Sequence, residues 1–268
     1  MNYVKPKKSL GQHFLTDMGI AGRIADTVDV CPGIPILEVG PGTGVLTQFL
    51  MKKERELRVV ELDGESVDYL LEHFRELPPQ DILAADFLKM NLSETFGGRQ
   101  FVLAGNYPYN ISSQIFFKVV DNRPLIPCCT GMIQKEVAER LAAKPGNKSY
   151  GVLSVFIQAW YDVEYLFTVH ENVFNPPPKV KSAVICMKRN GRESLGCDER
   201  LFRRIVKTVF TMRRKMIRNG LKQVLNGMVD SQVASEFLAD SFFNNRPEQV
   251  SIEEFISLTN RISALPHA

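Results

Sequence analysis

The chain has 268 residues, of which 44% are hydrophobic and 24% are charged. This composition is typical of a globular protein and argues against a disordered chain, a collagen-like repeat or a small disulfide-rich domain. Apolar runs end before the ~20 residues that a membrane helix needs, and the basic N-terminus lacks the apolar stretch of a signal peptide, so we expect no membrane partner. The 5 cysteines form no CxxC pair, which predicts free thiols in a reducing cytoplasm.

From residue 20 onward, short apolar runs typical of buried strands alternate with amphipathic segments typical of helices. The predicted strands are 36–40, 57–62, 81–85, 101–104, 126–133, 152–159 and 183–187. The predicted helices between them are 20–28, 45–51, 65–75, 112–120 and 135–142. This order predicts an α/β fold with a parallel sheet covered on both faces, and a ligand at the carboxyl ends of its strands.

Strand patterns stop after about residue 193. The segments 200–208, 212–221, 231–238 and 252–262 all have helical spacing, and Ser251 with Glu254 fits a capping box. We therefore predict two domains, an α/β domain at 1–192 and a small all-helical domain at 193–268.

The positive charge is concentrated in one segment. Residues 181–222 hold thirteen Lys and Arg against three acids, a charge of about +10. Because the net charge of the whole chain is +3, the rest of the chain carries about −7. Such asymmetry favours a polyanionic partner such as a nucleic acid, and a solvated helix face is the alternative.

The strongest local motif is Glu38-Val39-Gly40-Pro41-Gly42-Thr43-Gly44, at a predicted strand-to-helix turn. Glycines there let the backbone approach a ligand closely. The spacing differs from the GxGxxG dinucleotide fingerprint because Val45 stands where its third glycine belongs, which disfavours an NAD-binding oxidoreductase. A carboxylate at Glu38 would repel a pyrophosphate and suit a cationic ligand.

Acidic residues close the next two predicted strands. Glu61 can accept hydrogen bonds from both hydroxyls of a ribose, and Asp86 can accept one from an adenine amino group. Each acid alone fits a surface position or a helix cap equally well. Together with the glycine turn they resemble the Rossmann-like class I S-adenosylmethionine methyltransferases.

The fourth strand runs into Asn106-Tyr107-Pro108-Tyr109, which has the form of the motif in methyltransferases that act on exocyclic amines. The side-chain oxygen of Asn106 and the backbone carbonyl of Tyr107 can both accept from an adenine amine and favour pyramidal nitrogen. Pro108 restricts the turn, and Tyr109 offers a face on which a base can stack. The alternative is a plain Asn-Pro turn with aromatic residues in the core.

A second aromatic residue, Phe174, begins the stiff run Phe174-Asn175-Pro176-Pro177-Pro178. It can form the other side of a sandwich around a flipped base. A rigid loop with Phe174 in the core is the equal alternative.

Taken in order, these motifs resemble the small-subunit ribosomal RNA adenine dimethyltransferases, the KsgA family. The resemblance runs from Lys8-Ser9-Leu10-Gly11-Gln12-His13-Phe14-Leu15 to Phe210-Thr211-Met212-Arg213-Arg214-Lys215, and the helical tail fits by position only. It implies an enzyme that uses S-adenosylmethionine to dimethylate N6 of two adjacent adenosines in the 3′-terminal hairpin loop of 16S rRNA, within the assembling 30S subunit.

The resemblance also implies site roles. His13 and Leu15 would line the cofactor site, Gly40 and Gly42 would face the methionine end, Glu61 the ribose and Asp86 the adenine, and Asn106 would lie between cofactor and amine. His13 stands where many relatives carry Asn, and Tyr107 where Leu is usual. We expect phosphate contacts from Arg213, Arg214, Lys215 and Arg218, each of which fits a solvated surface position equally well. No metal is expected, because His73, His170 and His267 lack partners at ligand spacing. We expect a monomer.

Two alternatives stay open on the sequence. The first is an adenine N6-methyltransferase acting on DNA or another RNA, including the related rRNA-methylating resistance enzymes. The second is a non-catalytic assembly or transcription factor that has kept the fold, against which the intact Asn-x-Pro-Tyr motif argues.

Overall fold

A computed structural model describes residues 4–7 and 10–266, and it divides the chain into two compact units. The first unit comprises residues 1–139 and 161–190, and the second comprises 140–160 and 191–268. The sequence predicted a single division after residue 192, whereas the structure also places 140–160 with the C-terminal helices. Lys8, Ser9 and His267 lie outside the described residues.

The first unit is built on a seven-stranded sheet of order β4-β3-β2-β5-β6-β9-β7. A separate two-stranded sheet pairs β1 with β8. The strands are β1 Phe14–Leu15, β2 Ile36–Val39, β3 Leu57–Glu61, β4 Ile82–Ala84, β5 Val102–Asn106, β6 Cys128–Gln134, β7 Tyr161–Val169, β8 Phe174–Asn175 and β9 Ser182–Arg189.

The predicted parallel sheet is confirmed for β4, β3, β2, β5 and β6, which pair parallel with their neighbours. It is wrong for β9, which pairs antiparallel with both β6 and β7. The described residues between β7 and β9 contain no α-helix, and a parallel pair needs a crossover of that kind.

Helices cover the sheet because its central strands are apolar on both faces. All four residues of β2 are buried, as expected for a strand with both faces covered. The helices that begin in the first unit are α1 Met18–Asp26, α2 Thr47–Leu50, α3 Gly64–His73, α4 Leu92–Thr95, α5 Ser112–Asp121 and α6 Lys135–Ala142. The N-terminus of α1 is capped by Asp17, whose side chain accepts from the backbone N–H of Ile20.

The second unit is helical. Its helices are α7 Val152–Gln158, α8 Glu199–Thr211, α9 Ile217–Leu225, α10 Ser231–Phe237 and α11 Ile252–Ser263. Asp198 caps α8, and the predicted capping box of Ser251 and Glu254 is confirmed at the start of α11.

The predicted strand at 152–159 is wrong, because Val152–Gln158 is helix α7. Its short apolar run does not distinguish a buried strand from a buried helix. The local signal lies at its start, where the backbone N–H of Gly151 donates to Ser154 Oγ at 2.9 Å. The sequence analysis missed β7, which follows directly at Tyr161, and the two short strands β1 and β8.

None of the helices that the structure describes is long and apolar enough to cross a membrane.

Candidate active site

Ten of the predicted site residues lie together near the carboxyl ends of β2, β3, β4 and β5, and the strand order of the large sheet reverses between β2 and β5. They surround an open cleft with an empty volume of about 1100 Å³, including the part open to solvent. His13, Leu15, Gly40, Gly42, Glu61, Asp86, Asn106, Tyr107, Pro108 and Tyr109 all line it. Residues 10–15, which we call the arm, form one of its walls.

The glycine turn after β2 has the backbone conformation that glycine favours. Gly40, Gly42 and Gly44 have φ angles of 68°, 55° and 77°. A Cβ on Gly42 would lie 2.8 Å from Cε1 of Phe14, so the arm packs directly on this turn. An added side chain would therefore be both strained and obstructed at Gly42.

Glu61 ends β3 and is held by three backbone donors. Its Oε2 accepts from Gly42 N–H at 3.1 Å, and its Oε1 accepts from the N–H groups of Leu62 at 2.8 Å and Asp63 at 2.9 Å. Burial raises the pKa of Glu61, against the effect of these hydrogen bonds. The side chain is thus fixed in orientation at the cleft wall, and its predicted contact with a ribose stays a prediction.

Asp86 caps a helical turn, one of the alternatives that the sequence left open, and its adenine contact stays a prediction. Its Oδ1 accepts from Leu88 N–H at 3.0 Å and caps the short helical turn that follows β4. Its Oδ2 lies 3.5 Å from Lys89 Nζ. Because Asp86 also lines the cleft, capping orients the carboxylate without removing it from the site.

Glu38 is buried in β2 at the base of the cleft, with 1% of its surface exposed. Its Oε2 has no hydrogen-bond partner among the described residues. Burial raises the pKa of Glu38 to about 8, against an interaction with the Thr47 side chain that lowers the pKa and with a smaller contribution from the charge of Glu61. Sequence reasoning recognised that Glu38 would suit a cationic ligand but did not include it among the cofactor-binding residues. Its unpartnered oxygen is the feature that identifies it.

Asn106 ends β5, and its amide orientation is set by the arm. Asn106 Nδ2 donates to the backbone carbonyl of His13 at 3.1 Å. Because a carbonyl can only accept, the amide must turn its nitrogen towards His13 and its Oδ1 away from it. Asn106 therefore presents an acceptor, which is the group that an adenine amine needs.

The Tyr107 side chain points into the sheet. Its hydroxyl donates to Thr130 O at 2.9 Å, and its backbone N–H donates to Met132 O at 3.0 Å. A Cβ on Gly131 would lie 2.8 Å from Cε2 of this ring, so glycine at that position makes room for tyrosine. The unusual residue is therefore accommodated in the core, and the backbone of Tyr107 is anchored to β6.

Tyr109 is packed against the arm on one side. The rings of His13 and Tyr109 stack with centroids 5.4 Å apart and an angle of 29°. His13 Nδ1 donates to Pro176 O at 2.7 Å, and the hydroxyls of Tyr109 and Ser182 are hydrogen-bonded to each other. These contacts hold the Tyr109 ring in place beside the cleft.

Phe174 differs from its predicted placement. It is 5% exposed, pairs with Leu15 in the β1–β8 sheet and packs in the hydrophobic core. It is not among the described residues that line the cleft. The alternative that the sequence offered, a rigid loop with Phe174 in the core, describes this conformation. A stacking role requires the ring to leave the core and stays a prediction.

The predicted RNA contacts lie in the second unit and fall into two pairs. Arg213 bonds to Lys148 O and lies 3.7 Å from Glu248 Oε2, and Arg218 bonds to Asn244 Oδ1. Arg214 and Lys215, between them, are exposed. The exposed pair is the better placed to meet a phosphate.

Comparison with known proteins shows the family of the chain. A model of the family described as ribosomal RNA adenine dimethylase matches residues 4–264. Ribosomal RNA small subunit methyltransferase A of Phocaeicola vulgatus is 64% identical over 98% of this chain and 92% of its own length. The chain belongs to the ribosomal RNA adenine dimethylases. As a member of this family it is an S-adenosylmethionine-dependent methyltransferase that acts on rRNA adenine.

Solved structures of adenine dimethylases and related enzymes share the fold. A dimethyladenosine transferase from Plasmodium falciparum superposes with a TM-score of 0.77 at 23% identity, covering 94% of this chain and 98% of its own. The 23S rRNA methyltransferase ErmE has a TM-score of 0.66 at 26% identity, covering 92% and 99%. The predicted Rossmann-like class I methyltransferase fold is therefore confirmed.

Proposed function

We propose that this adenine dimethylase modifies N6 of two adjacent adenosines in the 3′-terminal hairpin loop of 16S rRNA, adding two methyl groups to each. The acceptor is the assembling 30S subunit, and the enzyme works as a monomer in the cytoplasm. The observation that carries the proposal is the contact between the glycine turn and the amine motif. A Cβ on Gly40 would lie 3.6 Å from Pro108 Cδ, so a cofactor on the turn would adjoin an amine at Asn106.

The residues of the cleft fit S-adenosylmethionine. Gly40 and Gly42 line the cleft where the methionine end would lie, and the buried Oε2 of Glu38, which has no hydrogen-bond partner among the described residues, suits a positively charged group. Glu61 is oriented to accept from the ribose, and Asp86 from the adenine amino group. His13 and Leu15 close the cleft from the arm. When bound, the cofactor supplies an electrophilic methyl group.

Asn106 and Tyr107 prepare the amine for attack. In the first transfer Asn106 Oδ1 and the Tyr107 carbonyl accept the two amine hydrogens, and in the second one of them accepts the single hydrogen that remains, which favours a pyramidal nitrogen whose lone pair is free of the purine ring. After each transfer the nitrogen is positively charged and strongly acidic, so its proton leaves to water without a dedicated base. Catalysis then rests on orientation and on stabilisation of the positive charge that develops on nitrogen. In this proposal no metal takes part.

The second unit supplies contacts to RNA phosphates. We assign these contacts to Arg213, Arg214, Lys215 and Arg218, with Arg214 and Lys215 the most accessible. Binding of this kind weakens as salt rises, because counterions released from the RNA must be recaptured.

Methyl transfer to undermethylated 30S subunits tests the proposal. Labelled S-adenosylmethionine is supplied, and the rRNA is digested to nucleosides. We expect N6,N6-dimethyladenosine from the wild type and a loss on the order of 100-fold for Asn106→Ala, because one of two aimed acceptors is removed. Asn91→Ala, which changes an exposed asparagine at the start of α4, is the matched control.

The same assay distinguishes other substrates. Because ErmE, a 23S rRNA methyltransferase, shares the fold, naked 23S rRNA and duplex DNA are included as competitors. Preferential methylation of either one over 30S subunits would contradict the proposed substrate. Full activity of Asn106→Ala would contradict the role of that residue.

A further inference from the structure

Lys7, in the segment before the arm, forms polar contacts with acidic residues that follow β3. Lys7 Nζ forms ion pairs with the Asp63 carboxylate and, at 3.0 Å, with Glu65 Oε1. The Lys7 backbone N–H donates to Gln12 Oε1 at 2.8 Å, and Gln12 Nε2 donates to Asp63 Oδ2 at 3.4 Å. Lys7 and Gln12 therefore hold each other and the same carboxylate.

Asp63 is an anchor rather than a surface acid. Its side chain is 2% exposed, and its Oδ2 also accepts from Ser66 Oγ at 3.0 Å. Burial works to raise the pKa of Asp63, but the hydrogen bonds from Lys7, Ser66 and Gln12 outweigh burial and hold its pKa below the ordinary value. Without Lys7 a buried carboxylate would lose its counter-charge, which is unfavourable.

Asp63 is directly hydrogen-bonded to Glu61, the acid that is proposed to bind the cofactor. Its backbone N–H donates to Oε1 of Glu61. Asp63, which holds Lys7, and Glu61, which is proposed to face the ribose, thus belong to one hydrogen-bonded turn.

The far end of the arm reaches the amine motif. The carbonyl of His13 accepts from Asn106 Nδ2, and the Phe14 ring lies against Gly42. Gly11 packs on Asn110, where an added Cβ would lie 2.8 Å from Oδ1. Because Lys7 is hydrogen-bonded to Leu10 and Gln12 of the arm, and the arm is short and touches both halves of the site, the anchoring of Lys7 affects both of them.

We propose that Lys7 is a positioning residue whose ion pair with Asp63 holds the arm over the cleft, retaining the cofactor and fixing the amide of Asn106. The proposal rests on the cofactor and amine roles proposed above. Lys7 acts through the arm and does not touch the reacting atoms.

The test removes the charge of Lys7 and keeps its apolar stem. For Lys7→Met we expect the Kd for S-adenosylmethionine to rise about tenfold, mainly through faster dissociation, because a half-exposed cation no longer neutralises a buried carboxylate. We also expect kcat to fall several-fold at saturating cofactor, because Asn106 is less well held. Lys7→Arg should restore most of both quantities.

The matched control is Lys5→Met. Lys5 is exposed and lies two residues before Lys7, so this variant removes the same charge from a nearby position. It should leave Kd, the dissociation rate and kcat unchanged. Thermal unfolding of each variant is measured in parallel. A cycle with Asp63→Asn then tests the pairing, and the double variant should be little worse than Lys7→Met alone.

Two results would overturn the proposal. One is a Lys7→Met protein whose cofactor dissociation rate and kcat equal those of Lys5→Met. The other is a double variant whose losses are the simple product of the single losses, since that shows no coupling between Lys7 and Asp63. The dissociation measurements need no RNA, so a wild type that binds cofactor without methylating 30S subunits contradicts only the proposed substrate. A wild type that does not bind cofactor contradicts both proposals.

Discussion

Among single residues of the cleft, Glu38 is a buried acid with a raised pKa. Its pKa of about 8 means that the carboxyl group is largely protonated at neutral pH in the free protein. A cationic ligand favours the ionised form, so cofactor binding should lower this pKa and release a proton. Burial disfavours ionisation of Glu38 in the free protein. The same burial strengthens the attraction between the ionised carboxylate and a bound cation.

We therefore predict that affinity for S-adenosylmethionine rises between pH 6 and pH 8 and levels off above the pKa of about 8. Glu38→Gln, which keeps the shape and cannot ionise, should bind more weakly and without this pH dependence. Calorimetry in two buffers of different ionisation enthalpy measures the proton released. Equal heats in both buffers for the wild type would contradict the prediction.

Stability should respond to the same residue with the opposite sign. The folded pKa of about 8 lies above the ordinary value of 4.5, so the folded state keeps a proton that the unfolded state loses. Between these values the wild type should lose stability as pH rises, relative to Glu38→Gln. Denaturant unfolding of both proteins at pH 5 and pH 8 tests this difference.

At the scale of elements, the sequence predicts what periodicity and turns determine. The strand ends that carry Glu61, Asp86 and Asn106 were predictable because each polar residue follows an apolar run, and parallel strands bring such ends together. The helices α8 to α11 of the second unit were predictable in type, although α9 begins at Ile217 rather than at 212. Element type and approximate position follow from local pattern.

Tertiary packing decided what local pattern could not. The apolar run at 152–159 has no period that separates strand from helix, and β7 mixes acids with apolar residues. The placement of Phe174 depends on a partner far along the chain, Leu15, and that of the Tyr107 side chain on Gly131 of β6. Neither placement can be predicted from the local spacing of residues.

The packing of α8 on α9 leads to a prediction at this scale. A Cβ on Gly220 would lie 2.8 Å from the Cα of Val209, and the backbone there cannot move aside freely. Gly220→Ala should therefore destabilise the protein by about 1–3 kcal/mol, despite the better helix propensity of alanine. Gly191→Ala, which meets nothing within 4 Å, is the control for denaturant unfolding. Equal stability of the two variants would contradict the close packing.

At the scale of the whole molecule, the sequence gives the total charge of a segment but does not show which charged side chains are accessible to a partner. The segment 181–222 carries about +10, yet Arg213 and Arg218 are engaged with neighbours in the second unit. Arg214 and Lys215 are exposed, so they should account for a larger share of RNA binding than their neighbours.

We predict that Arg214→Ala with Lys215→Ala weakens 30S binding and lowers the magnitude of its salt slope by about 0.7–0.9 for each phosphate that the protein no longer neutralises. The affinity for S-adenosylmethionine should be unchanged. Filter binding over a series of salt concentrations measures the slope, and Arg75→Ala removes one exposed arginine of the first unit as a control. An unchanged slope would show that these two side chains do not meet phosphate.

The hydrogen bond between Asn106 and His13 is made by the main chain of residue 13. A carbonyl is the same in every amino acid, so this bond does not depend on which side chain the position carries. Any amino acid at this position can therefore orient the amide through its main chain. A substitution at residue 13 should thus separate two functions of the arm, because it removes the stacking on Tyr109 and the hydrogen bond to Pro176 O while the bond to Asn106 stays in place.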